Sequence, residues 1–119
     1  MKSNTIQNRY DLWDNERLIM ETTAHLKLSS EKISGRLILT SKRLLFRNDD
    51  SKAEKVIPLH QIDSLKAFRT WSIFYKGIMI RHLNDSVIML VGYPKDWLKL
   101  ISLQMKKVEV LKATSESVR

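Results

Sequence analysis

Cysteine is absent from this 119-residue sequence, glycine occurs three times and proline twice. The first absence excludes disulfides and thiolate metal sites, and it leaves the redox compartment unmarked. The scarcity of glycine and proline excludes collagen-like and low-complexity chains, and it makes each of the five a punctuation mark. Long apolar runs are missing too: a membrane-spanning helix needs about 20 such residues. The longest run, Ser86 to Val91 with its neighbours, is the size of a strand. Met1 to Asp14 has neither the apolar stretch nor the small-residue cleavage site of a secretory signal, so a cytoplasmic location is expected.

Acidic residues are the minority. Lys and Arg number 21 against 13 Asp and Glu, for a formal charge of +8. The excess is uneven: residues 1–30 carry four of each sign, so residues 31–119 hold all of it. Such a field attracts anionic partners, whether phospholipid headgroups, nucleic acid or an acidic protein. The structural alternative is that the charge serves solubility alone.

What is present is a series of short apolar segments separated by polar turns, in a chain sized for one domain. Leu18, Met20, Ala24, Leu26 and Leu28 share one face of an extended segment over Arg17 to Leu28, with a short helix around Asp14 to Met20 as the alternative. Gly35 to Thr40 and Arg43 to Arg47 are predicted strands on either side of a tight turn at Thr40-Ser41-Lys42. Lys55 to Leu59 is a strand that holds Pro58 only at an edge or an end. Ile62 to Phe68 breaks strict alternation, as a bulge would. Gly77 to Leu83 and Ser86 to Tyr93 form a predicted hairpin across Asn84-Asp85.

Seven strands with connections too short for crossovers predict an antiparallel, mainly β fold. After Pro94 the apolar period changes. Trp97, Leu98, Leu100, Ile101, Met105, Val108 and Leu111 gather on one face of a helix predicted to run to about Lys112, with Leu103 and Val110 off that stripe. Residues 1–14 are expected to form a partly flexible arm, 15–113 the domain and 114–119 a flexible tail.

Gly35-Arg36-Leu37-Ile38-Leu39-Thr40-Ser41-Lys42-Arg43-Leu44-Leu45-Phe46 resembles the signature hairpin of GRAM-type and bacterial PH-like domains. Ile57-Pro58-Leu59-His60-Gln61-Ile62 is similar to their "ile-pro-leu-x-x-ile" corner, and Asn15 to Ile19 to their acidic entry into strand one. The likeness covers roughly residues 15–112. It implies the pleckstrin-homology superfold, an α+β fold in which a seven-stranded antiparallel barrel is capped by one C-terminal helix. The matching residues are those that build the scaffold, so the resemblance speaks to fold before activity.

Catalytic constellations are lacking. His25, His60 and His82 fall on separate elements with no metal-ligand spacing, and no phosphate-binding glycine loop or nucleophile elbow is present. No metal, no cofactor and no enzymatic activity are expected. The resemblance points instead to the region in which related domains hold phosphates: Lys27, Lys32 and Arg36, with Lys42 and Arg43 in the next turn. Lys32, Arg36, Lys42 and Arg43 are therefore the candidate anion-binding residues. Arg36 is followed by Leu37 and Ile38 and Glu31 interrupts the cations, which favours general attraction to acidic membrane over recognition of one inositide. Trp71 and Phe74, in the aromatic stretch Phe68 to Lys76, are candidate apolar anchors or a barrel plug. Two readings stand: a module docking peripherally on anionic lipid or an acidic protein, and an interaction or self-assembly module using Leu103, Val110 or a sheet edge. Homo-oligomers belong to the second. Nucleic acid is disfavoured because no recognised nucleic-acid motif accompanies the basic residues.

Overall fold

The computed structural model describes residues 12–28, 31–48, 54–69 and 76–117, the last helix with side chains to Glu109. Among the described residues seven strands form one antiparallel sheet: β1 (Leu18–Lys27), β2 (Lys32–Thr40), β3 (Arg43–Arg47), β4 (Glu54–Pro58), β5 (Ile62–Arg69), β6 (Lys76–His82) and β7 (Asp85–Leu90). Their order is β4-β3-β2-β1-β7-β6-β5, so β1 joins a four-strand half to a three-strand half. A 3-10 turn, Leu59–Gln61, connects β4 to β5, and helix α1 (Pro94–Ser117) follows β7. The architecture is the predicted one.

Alternation explains the core. Ala24, Leu37, Leu39, Leu44, Phe46, Ile57, Ile78, Ile80, Val87 and Met89 all point inward and are buried. α1 lies over the 3-10 turn, β5 and β6, and inserts Trp97 and Ile101, which are 1% and 0% exposed. A Trp buries roughly 150–250 Å², which makes Trp97 the anchor of the cap. Leu98, Leu100, Met105 and Val108 are half-buried against the same core, and Leu103 is off the stripe and 48% exposed. The Leu111 and Val110 side chains lie outside the described residues.

Two glycines permit close approach. A Cβ on Gly35 would overlap the Arg47 carbonyl oxygen and stand 2.7 Å from Phe46 Cζ; one on Gly77 would overlap the Met89 carbonyl oxygen. The irregularity expected in the fifth strand is a register shift between Ile62 and Ser64.

The β6–β7 hairpin differs from expectation by one residue. Its loop is Leu83-Asn84, with His82 paired to Asp85, because a two-residue type I′ turn needs positive φ at both positions. Leu83 and Asn84 have φ 48° and 65°; Asn84 tolerates this readily and Leu83, 64% exposed, takes it without steric conflict in a core. The predicted seventh strand also ends early, at Leu90, since Tyr93 turns to φ 54° before the helix. At the other end α1 continues to Ser117, past the expected Lys112.

The outer face of the larger half carries a second apolar cluster. Ile38 and Leu45 are 0% and 2% exposed there, covered by Leu12 and Leu18. Leu18, expected on the inner face with Met20, lies on this one because the β1–β2 register shifts between the two. The chain just before β1 is thus part of the fold.

Candidate functional site

Arg43 begins β3 with its side chain on that outer face, where it meets the turn before β1. Its guanidinium is bidentate on Glu16, Nε donating to Oε2 at 2.8 Å and Nη2 to Oε1 at 3.1 Å. Glu16 is fully buried. It also accepts from the Thr40 hydroxyl and from the Trp13 backbone N–H, and the guanidinium carbon lies 4.1 Å from the centroid of the Trp13 ring. Burial pushes the Glu16 carboxyl up, but the bonds from Arg43, Thr40 and Trp13, with the Arg43 charge, together hold it below its ordinary value of 4.5. Arg43 is 8% exposed, so its place in the expected anion site is taken by Glu16, and its role here is to fasten the entry segment to the barrel.

The other three candidates are dispersed. Arg36 donates from Nε and Nη2 to Glu21 Oε1, at 2.9 and 2.6 Å, across the β1–β2 pair. Lys32 begins β2 and Lys42 follows its end. At about 3.3 Å per residue, β2 spans roughly 26 Å from Lys32 to Thr40 and so puts the two lysines near its opposite ends. The four therefore do not converge on one ligand. Trp71 and Phe74 lie outside the described residues.

The strand register brings together a different set. Lys66 pairs with Met79, Met79 with Ile88, Ile88 with Lys27, and Lys27 with Lys32. Directly paired residues share a face, so these five form one row across five strands on the outer surface. The flanking rows on the same face are Ser64–Arg81–Ser86 and Phe68–Gly77–Leu90–His25–Ser34. None of these residues is acidic. Lys32, Lys66 and Arg81 are exposed, Lys27 is half-buried, Met79 and Ile88 are half-buried between Lys66 and Lys27, and Phe68 is half-buried in the flanking row. At one end the face opens into a cleft of about 350 Å³ where β1 and β7 diverge, lined by His25, Lys32, Lys76 and Leu90 among others.

Of this surface, Lys32 is the candidate site residue that the sequence identifies, with Lys27 beside it. Lys66, Arg81, Met79 and Ile88 are far away in the chain, and no local pattern joins them. Among the described residues no group of three His, Asp or Glu side chains is placed to hold a metal. No described helix is long and apolar enough to cross a membrane. His82, unlike His25 and His60, is buried inside the barrel.

The sequence model of the GRAM domain matches residues 4–91. The chain belongs to the GRAM domain family. A comparison with curated protein sequences finds no match, whereas solved structures share the fold at low identity. The C-terminal domain of an unknown protein from Leishmania infantum has a TM-score of 0.74 at 16% identity, covering 88% of this GRAM chain and 98% of its own. The Vps36 N-terminal PH domain gives 0.67 at 14%, covering 83% and 86%. The hSac2 domain of the human phosphoinositide phosphatase Sac2 gives 0.58 at 13%, covering 93% and 82%. GRAM and other PH-like domains are typically non-catalytic modules that bind lipids or proteins.

Proposed function

We propose that this GRAM domain is a non-catalytic targeting module that docks on the anionic cytoplasmic surface of a membrane through the outer face of β5, β6, β7, β1 and β2. The supporting observation is the row Lys66–Met79–Ile88–Lys27–Lys32, with Arg81 beside it and no carboxylate in the three rows. A broad face with cations around a low apolar centre suits a planar array of headgroups, where each basic residue is worth about 1 kcal/mol. Four such residues amount to roughly a thousandfold preference for acidic over neutral lipid at low salt. In this reading Lys32 is one of the anion-binding residues, and Trp71 and Phe74 are the candidate apolar anchors. Self-assembly by strand addition is less well supported. Of the two terminal strands, β4 is five residues long and carries Glu54, Lys55 and Pro58, features that blunt an edge, and β5 is contacted by α1 and carries Asp63, Lys66 and Arg69.

Co-sedimentation with phosphatidylcholine vesicles, with and without phosphatidylserine, tests the reading. Binding should require phosphatidylserine, weaken with salt and fall at least tenfold in Lys27→Glu/Lys66→Glu. Equal binding to both vesicles, or no loss in the variant, would remove this face from the function.

A further inference from the structure

At the opposite end of β2 lies a groove of about 410 Å³ between α1 and the turns of the barrel. Its apolar surface comes from Trp13, Pro58 and Val108, and its cations from Arg17 before β1, Lys42 in the β2–β3 turn and Lys107 on α1. The described lining contains no carboxylate. The walls are tied together. Ser41 N–H donates to the Arg17 carbonyl at 2.9 Å, Arg17 N–H returns a bond to Ser41 Oγ at 3.0 Å, and Leu59 N–H donates to the Lys42 carbonyl at 3.0 Å. Trp13 is held by its backbone bond to Glu16 and by Arg43 against its ring, yet remains 49% exposed.

One residue in this groove is buried and polar. Gln104 is 3% exposed and falls within the helix stripe that contacts the core, and its Oε1 has no hydrogen-bond partner. A buried amide acceptor left unmatched is costly, and native folds rarely carry one without a reason. Gln104 lines the groove, and although its Oε1 is shielded from solvent, a rotation of the amide would present it to a donor arriving there.

We infer that the groove is a second binding site, for a short acidic peptide segment bearing an apolar side chain. The three requirements come from different parts of the lining. A main-chain N–H of the peptide meets Gln104 Oε1, an apolar side chain lies against Trp13, Pro58 and Val108, and carboxylates answer Arg17, Lys42 and Lys107. Cations spread over three segments around an apolar floor suit separated carboxylates better than a single phosphate, which needs convergent donors. The volume is within the usual range for a ligand site and the tied walls mean little ordering on binding.

The test uses the full chain, ¹⁵N-labelled, titrated with an acetylated nonapeptide of Glu and Asp with one central Leu. Expected shifts centre on the Trp13 indole N–H and the Gln104 side-chain amide, with affinity lost when Leu is replaced by Gly. Lys42→Glu/Lys107→Glu, both exposed positions, should weaken binding at least tenfold, and Gln104→Met at least threefold with the remaining spectrum unchanged. Lys27→Glu/Lys66→Glu should leave it intact, which separates this site from the membrane face. The inference is overturned by no shift at millimolar peptide, by shifts confined to the Lys66–Lys32 row, or by phosphatidylserine vesicles rather than peptide acting at Trp13 and Gln104.

Discussion

Arg43 and Glu16 form a two-pronged ion pair in a site from which solvent is excluded, with Glu16 fully buried and Arg43 nearly so. The pair joins the turn before β1 to the start of β3, a sequence separation of 27 residues. Thr40 and the Trp13 backbone also donate to Glu16, and the Trp13 ring covers the guanidinium. A buried pair is favourable only when its geometry and secondary partners are this complete.

Removing one partner leaves the other charged, buried and alone. Glu16→Ala should therefore lower the urea unfolding free energy by about 3–5 kcal/mol. The paired replacement Glu16→Leu with Arg43→Met should cost less than Glu16→Ala alone, because it leaves no orphan charge. A double-mutant cycle on equilibrium unfolding checks this; additive losses would mean that the two side chains act independently.

The depressed carboxyl of Glu16 also fixes the sign of a pH effect. A carboxylate whose folded value lies below its unfolded one contributes stability that is fully present above the unfolded value. That contribution is lost as pH falls below about 4.5 and on through the folded value. Unfolding free energies measured from pH 6 to pH 3 should fall more steeply for the wild type than for Glu16→Gln. Parallel curves would show that Glu16 does not titrate differently on folding.

Gly35 and Gly77 sit where neighbouring main chain or ring occupies the space of a side chain, whereas nothing lies within 4 Å of the equivalent point at Gly92. Gly35→Ala and Gly77→Ala should each destabilise by about 1–3 kcal/mol or more through overpacking. Gly92→Ala should be nearly neutral. Thermal melts of the three variants are the check, and equal melting temperatures would contradict the close approaches.

Much of the scaffold was legible from local pattern. The alternation in Leu37 to Leu39 and Leu44 to Phe46, the Pro58 edge and the Trp97–Ile101–Met105 stripe each reflect a repeat of two or 3.6 residues, which a linear chain displays directly. Turn placement was legible to within a residue: Asn84 was recognised as a turn former, but the choice of Leu83 as its companion depends on which residues pair across β6 and β7. Gln104 could not be anticipated, since burial of one polar residue beside an apolar stripe depends on what the helix packs against.

The basic surfaces were decided by tertiary structure. Charge close in sequence, as in Arg36, Lys42 and Arg43, was divided among the Glu21 pair, the rim of the groove and the Glu16 pair, because a strand carries its ends far apart and alternates its faces. Charge distant in sequence, from Lys27 to Arg81, was gathered into adjoining rows by register. The linear sequence determined that this protein is a small, mainly β domain with a net positive charge and a capping helix. Which of its cations stand together, and which are consumed in holding it up, follows from long-range pairing that no local period encodes.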